Sequence, residues 1–558
     1  MLGIGKLAAG AEDYYLGIAA GIEDYYVGVA SPGQWIGSSQ RLLGLTGDID
    51  PDALRTVFAG VDPTTNVALL NSANRTVMAF DLTFKADKSV SLLHAFGPPE
   101  VAAAVEAAHG AAVASSIRYL EETAVHTRRG HNGVETIHGT GLVAASFRHY
   151  RNRNDDPHLH DHVLVPNMVQ GVDGRWSTLD ARHLYAHVKT AGYVYQGVLR
   201  EELTRTLGVE FGPVTNGVAS IEGIPRRAIE AFSTRRAEIL EHLDAVGASS
   251  AKAAQIATLQ TRRAKEQQPD LDAIQAEWRT RAHANGLDIS RLGELLDKVQ
   301  VTGLTETHRN AATAKMLRPD GLTAHASTFD RRDLLRAWCE AHPQGATLAE
   351  VQFFSAQMIA NEPSLVALAG ERWTTQELLA CEQSVLDAAT RGVGRGVAVV
   401  PSSAIDAAIA ARPTITAEQE HVARALVEGG DSVSVLIAPA GTGKGFTLGV
   451  AQAAWSTDVK VLGVTVAARA AAELRTGAGI RSMTITSLIG QLDDGKALAR
   501  KSVLVIDEAG MVGTRQLARL VPTPQHAMRK SSSSATHDSY RRSTPEDCSA
   551  DSPNVSQY

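Results

Sequence analysis

Between Met78 and Phe84 apolar and polar residues alternate, and this period of two predicts a strand with one buried face. Val163 to Val169 is an apolar run that Pro166 assigns to a sheet edge or bulge, because proline cannot donate to a ladder. Ala102 to Thr123 and Leu184 to Leu207 carry the apolar stripe of amphipathic helices, so the chain up to about residue 215 predicts an α+β region. From Pro225 to Glu420 the pattern is nearly all helical, with breaks near Gln268-Pro269, Arg318-Pro319-Asp320-Gly321 and Gly392-Val-Gly394. Strand and helix then alternate from Ser432 to Val512. They end in the wholly apolar Ser502 to Ile506, the kind of strand buried in a parallel sheet. After about Val521 Pro, Ser, Thr and charge dominate, Ser531 to Ser534 is all serine, and a disordered tail is predicted.

Composition narrows the class. A chain of 558 residues suggests three or four domains at roughly 100–200 residues each, and 44% apolar with 21% charged residues excludes global disorder. Three cysteines far apart, Cys339, Cys381 and Cys548, exclude a disulfide scaffold and a cysteine-only zinc site, which fits a reducing, cytoplasmic setting. No window approaches the ~18 consecutive apolar residues of a membrane helix, so no membrane insertion is expected. The first thirty residues carry Glu12, Asp13, Glu23 and Asp24 against Lys6, the reverse of an export signal. A net charge of -7 argues mildly against a nucleic-acid partner. Locally, Pro225 to Lys265 holds eight basic residues against four acidic ones, either a basic patch or an ordinary solvated helix face.

Two clusters carry candidate chemistry. Glu12-Asp13-Tyr14-Tyr15 recurs eleven residues later as Glu23-Asp24-Tyr25-Tyr26. Were the stretch helical, that spacing would return to nearly the same face about 16 Å along the axis, although Gly10, Gly17 and Gly21 weaken a helix. Paired tyrosines ordinarily pack a core, but a deprotonated tyrosine hydroxyl is also a nucleophile able to form a covalent phosphotyrosine. The second cluster places His149, His158, His160 and His162 within fourteen residues. On a strand His158, His160 and His162 share one face, with Leu159 and Asp161 on the other. Three neutral imidazoles with open coordination positions suit a catalytic divalent metal. A solvent-facing polar strand is the bland alternative; metalloprotease chemistry is disfavoured because no His-Glu-x-x-His helix occurs.

Together with Gly33-Gln-Trp35-Ile-Gly37, Leu42 to Gly47, Phe80 to Ser91 and Gly174 to Asp180, in this order over residues 1 to about 265, these clusters resemble the conjugative relaxases of the TrwC/TraI (MobF) class. The resemblance implies an α+β relaxase domain, HUH nuclease-like, with an antiparallel sheet and helices, over residues 1–265. It implies Tyr14 and Tyr25 as nucleophiles, Tyr14 for the initial cleavage, with Tyr15 and Tyr26 as their neighbours. It replaces the alternating histidine triad by His149, His160 and His162, so that His158 falls outside. Asp81 matches the carboxylate that orients a ligand histidine or helps remove the tyrosine proton. Where the family usually has proline before Lys88 this chain has Asp87, a departure not expected to touch the chemistry. The implied reaction is site- and strand-specific DNA nicking at a plasmid origin of transfer, through a 5′-phosphotyrosine, with Mg²⁺, Mn²⁺ or Zn²⁺ as cofactor. Implied partners are single-stranded and hairpin DNA at that origin, a coupling ATPase and the type IV secretion machinery.

Further on, Ala438-Pro-Ala-Gly441-Thr442-Gly443-Lys444-Gly445 has the context of a phosphate-binding loop, after an apolar run and before a helical one. Ala438 replaces its first glycine, and Gly445 stands where a hydroxyl ligates magnesium. Val503 to Met511 is similar to motif II of RecD-like superfamily 1 helicases, with Asp507 on magnesium and Glu508 activating water. Thr416-Ala-Glu-Gln419 resembles their adenine-reading glutamine motif, and Val464-Thr465 with Arg469 to Leu474 the next one. These matches imply a partial α/β P-loop NTPase domain over 411–520, after a helical connector or vestigial motor region over 266–410 and before a disordered tail over 521–558. With no second motor domain after motif II, the chain is expected to be truncated or frameshifted after about Arg519, with ATP a doubtful cofactor and no unwinding. A rolling-circle replication initiator and a non-catalytic DNA-binding remnant are the alternatives; two tyrosine pairs and the helicase part favour the relaxase.

Overall fold

The computed structural model describes residues 2–8, 10–12, 33–70, 75–246, 271–439, 441–456, 458–521 and 529–535. Tyr14, Tyr15, Tyr25 and Tyr26 lie outside the described residues, as does the basic stretch from 247 to 265. Two compact units divide the chain. The first comprises Met1–Leu322, Thr328–Pro363 and Ala369–Arg372; the second comprises Thr323–Ser327, Ser364–Leu368 and Trp373–Tyr558. No helix among the described residues is long and apolar enough to cross a membrane.

In the first unit β1 (Leu2–Leu7), β2 (Gln34–Ile36), β3 (Ala79–Lys85), β4 (Ala144–Arg151) and β5 (Pro157–Pro166) form an antiparallel sheet in the order β1-β3-β5-β4-β2. The alternation read in β3 sorts the sheet into two faces. Leu82, Phe84, Leu159 and Val163 are fully buried on one face, where the Phe84 ring lies 5.4 Å from that of Tyr195. Tyr195 belongs to a long helix, Ala181–Leu207, capped by Asp180 and ended by Gly208 in the left-handed region at φ +62°. That helix packs along Pro99–Thr123, with Ser116 Oγ donating to Ala191 O at 2.9 Å. On the opposite face Ala79, Ala145, Phe147 and Leu164 join Trp35, Leu54 and Phe58 in an apolar cluster at one end, and the histidines occupy the other.

Strand β5 is central, which corrects the placing of Pro166 at an edge or bulge. Pro166 is the last residue of the strand, opposite Ala79, so its missing N–H falls where the ladder stops. The turn from β4 to β5 is tied by Asn152, whose Oδ1 accepts from Asn154 N at 2.9 Å and Asp156 N at 3.0 Å, and Asp155 takes φ +57°. Helix Leu271–Ala284 locks it: Trp278 Nε1 donates to Asp155 O at 2.9 Å, and Arg281 pairs with the buried Asp156 at 3.2 Å.

The first unit therefore runs past residue 265, where the sequence put its end, and takes in much of the expected connector. The physical reason is Arg200, only 1% exposed. Its guanidinium donates to Gly217 O at 2.9 Å, Cys339 O at 3.0 Å and Pro343 O at 3.1 Å, so helix Arg331–Ala341 and the segment after it supply carbonyls to a buried charge. Gly345, at φ +90°, approaches so closely that a Cβ there would stand 2.1 Å from Glu201 N.

The second unit holds a parallel sheet of β6 (Val433–Ile437), β7 (Lys460–Thr465), β8 (Ser482–Thr484), β9 (Ser502–Asp507) and β10 (Arg529–Ala535), in the order β6-β10-β9-β7-β8. Strand β10 corrects the expectation of disorder throughout the tail, since it contains the serine run. Its backbone pairs with β6 on one side and β9 on the other, satisfying ladder groups that both strands present. Serine carries no apolar alternation to reveal such a strand in advance. Helix Lys444–Trp455 buries Leu448, Val450 and Trp455 against Leu426, Val427, Val503 and Val505.

Candidate functional site

Register assembles the histidine centre. His149 on β4 lies directly opposite His160 on β5, and His162 follows two positions on, so the pleat turns all three to one face. One ligand nitrogen from each of His149, His160 and His162 lies within 4.8 Å of the others. His149 and His160 are buried, while His162 keeps partial exposure. Asp81, on the neighbouring strand β3, receives Nδ1–H of His162 at 2.9 and 2.8 Å from its two oxygens, which leaves Nε2 as the ligand atom. His160 donates Nδ1–H to His158 O at 2.8 Å, with the same consequence. Burial, then the neighbouring His158, His149 and His162, push the His160 pKa well below the ordinary histidine value and keep the ring neutral, the state a metal requires.

His158 shares the strand's alternation with His160 and His162 but is not in the converging group; it contributes its carbonyl instead. Of the two triads the sequence offered, the structure brings together the one implied by the relaxase resemblance. Gly5 and Gly3 on β1 stand opposite Asp81 and Thr83, and leave that part of the face without side chains. The tyrosine pairs fall outside the described residues, so their approach to the histidines has no coordinates.

A buried charge cluster lies behind the centre, unnoticed in the sequence. Asp161, between His160 and His162, points to the helix side of the sheet. It accepts from Arg148 Nε at 2.9 Å and Nη2 at 3.1 Å, and His109 Nε2 lies 3.0 Å away. His109 Nδ1 in turn meets Tyr195 OH at 2.7 Å. Burial by itself would raise the Asp161 pKa, but His109 and Arg148 outweigh it and hold the carboxyl well below the ordinary aspartate value. The available signal was Arg148 and Asp161, which face one another once β4 and β5 are set in register. The departure at Asp87 also has a reason: its side chain caps helix Lys88–Phe96, accepting from Ser89 N at 2.9 Å. Lys88 itself donates to Pro157 O at 2.6 Å, and burial pushes its amine down to about 8 against the pull of Asp156 and Asp87.

In the second unit Gly441 and Gly443 adopt φ of +80° and +84°, and the loop passes into the helix at Lys444. Lys444 Nζ donates to Ala438 O at 3.1 Å. Gln419 does two things: its Oε1 accepts from Thr416 N at 3.2 Å, closing a capping box, and its Nε2 donates to Thr442 O at 3.1 Å. Asp507 ends β9, accepting from Glu508 N at 3.0 Å, and Glu508 takes φ +54°.

The fold and the two sites thus define a domain with a three-histidine, carboxylate-oriented centre on an antiparallel sheet, in one chain with a P-loop unit. Residues 8–285 match the family model described as TrwC relaxase, which makes this part of the chain a domain of that family. Residues 414–530 match an AAA domain. The multifunctional conjugation protein TraI of Escherichia coli is 31% identical over 278 residues, 48% of this chain and 15% of that protein. The probable conjugal transfer protein TraA of Sinorhizobium fredii is 30% identical over 222 residues, 37% of this chain and 20% of that protein. The chain thus spans a fifth or less of the length of these relatives. Among solved structures, the conjugative relaxase TrwC with oriT DNA is 30% identical in a metal-free form at TM-score 0.45, and in a copper-bound form at 0.47. Each covers 52% of this chain and all of its own.

Proposed function

We propose that the first unit nicks one strand of DNA at an origin of transfer by transesterification, with Tyr14 as nucleophile. The observation that carries this is the convergence of His149, His160 and His162 within 4.8 Å, with Asp81 fixing His162, inside the stretch that matches the TrwC relaxase model. These three histidines would hold a divalent cation, which when bound withdraws charge from the scissile phosphate. Three imidazole nitrogens suit Mn²⁺, Zn²⁺ or Cu²⁺ better than Mg²⁺, which prefers oxygen ligands. Asp81 and the His158 carbonyl hold the two rings against rotation and keep each Nε2 bare. Given that double contact, Asp81 acts as the orienting carboxylate rather than as the base for tyrosine. The Tyr14 oxygen bonds to phosphorus as its proton leaves, the bond from phosphorus to the 3′ oxygen breaks, and that oxygen ends as a hydroxyl. The 5′ phosphate stays on Tyr14, so the bond energy is conserved and no ATP is consumed. Tyr25 serves the second transfer, with Tyr15 and Tyr26 beside the two nucleophiles.

The DNA partner is the origin as single strand and hairpin; a coupling ATPase and a type IV secretion channel are the partners this activity requires for transfer. The second unit is a nucleoside-triphosphate site formed by Gly441, Thr442, Gly443 and Lys444, with Gln419, Asp507 and Glu508 as its further residues. The test is nicking of supercoiled plasmid carrying the cognate origin, with Mn²⁺. Wild type is expected to give open circles with protein on the 5′ end, and Tyr14→Phe and His160→Ala are expected to give neither. Nicking that survives both substitutions overturns the assignment.

A further inference from the structure

The phosphate loop lacks its magnesium hydroxyl, and the surrounding atoms show that neither space nor backbone imposes the loss. A Cβ built on Gly445 meets nothing within 4 Å, and Gly445 is not among the glycines at positive φ, so any residue fits there. Gly443 is different: besides its φ of +84°, a Cβ on it would stand 2.6 Å from Gln419 Nε2. The hydroxyls nearest in sequence are already engaged. Thr442 Oγ1 donates to Pro439 O at 2.8 Å, and the buried Thr447 Oγ1 donates to Gly443 O at 3.3 Å. The described groups that neutralise phosphate without a metal are the amides of Gly441, Thr442 and Gly443, the N-terminus of a 12-residue helix, and the Lys444 ammonium, whose bond to Ala438 O a phosphate oxygen can replace. The residues present therefore fit a polyphosphate and do not fit the ordinary magnesium contact.

We propose that the second unit binds the polyphosphate of a nucleoside triphosphate through loop amides and Lys444 with little help from magnesium, and that Gly445 sets this metal independence. The inference rests on the reading of the loop as a nucleotide site. A hydroxyl at this position supplies one oxygen to the octahedral shell of an ion bridging the phosphates. Without it the ion loses its one direct protein oxygen in the loop and keeps only the more remote Asp507 carboxylate, so it adds little to affinity.

The experiment titrates the full-length protein with a fluorescent ATP analogue, once in Mg²⁺ and once in EDTA. Wild-type dissociation constants are expected to agree within about threefold, while Gly445→Ser and Gly445→Thr bind about tenfold more tightly in Mg²⁺ and unchanged in EDTA. The serine variant guards against any cost of a β-branched residue in the first helical turn. A wild type that tightens about tenfold with Mg²⁺, or hydroxyl variants that gain nothing from it, overturns the proposal. Folded wild-type protein that binds the analogue in neither condition refutes the nucleotide-site reading itself, a result separable from the other two. Lys444→Ala is expected to weaken binding equally in both buffers.

Discussion

The histidine centre stands on paired strands and the phosphate loop follows the end of one, and they are furnished very differently. In the first unit two of the converging rings have one nitrogen held, His162 by Asp81 and His160 by the His158 carbonyl. The strand that carries them is pinned from behind by Asp161, Arg148 and His109. In the second unit Gly441 and Gly443 take the left-handed region, but Gly445, where a phosphate loop ordinarily carries a hydroxyl, has no side chain. A site is more than its motif: the first has the supporting contacts that fix geometry, whereas the second keeps its backbone and lacks one functional atom.

The sharpest way to break this contrast is to remove a ligand. His160→Ala is expected to lower Mn²⁺-dependent nicking by about a thousandfold or more, and retention within a factor of ten would show the centre to be dispensable. Next comes the support behind it. Asp161→Ala leaves the fully buried His109 and the half-buried Arg148 guanidinium without their carboxylate and is expected to cost about 3 kcal/mol in urea unfolding; a loss below about 1 kcal/mol would mean that the cluster holds nothing. Asp81→Asn is milder, weakening Mn²⁺ affinity by about ten- to a hundredfold by calorimetry, with an unchanged value assigning the orientation of His162 to other contacts. The smallest effect is on pH. Burial, then Arg332, lowers the His187 pKa to about 4. The unfolded chain thus accepts a proton that the folded one refuses, so stability is full above about pH 6.5 and falls as pH drops towards 4. With allowance for solvent screening the loss is about 1 kcal/mol, read as a difference in urea midpoints between pH 7 and pH 4.5 that shrinks in His187→Gln.

Much of the first sheet was legible because its strands follow local alternation: Met78 to Phe84 announced β3, and the two long amphipathic runs announced helices close to their observed ends. His149 was different. Nothing local ties it to His160, since their meeting depends on the register of two strands across a turn, and only the family resemblance singled it out over His158. Asp161 was read as lying on the other face, but that face becomes a charge cluster only when Arg148 and His109 arrive from a second strand and a helix. Pro166 misled because a rule about ladder interiors was applied to a strand's final residue. The serine strand was invisible because its place depends on neighbours rather than on its own side chains.

Arg200 carries a practical lesson about where a fragment is cut. The family match stops at residue 285, yet three carbonyls around this guanidinium, those of Cys339, His342 and Pro343, come from beyond it. A fragment trimmed to the homology would keep all three converging histidines and lose the carbonyls of Cys339, His342 and Pro343 that satisfy this guanidinium, together with the Gly345 segment that covers it. The evolutionary edge and the thermodynamic edge of this unit are different places, and an isolated piece that retains the second, through Pro363, is the one expected to stay soluble and active.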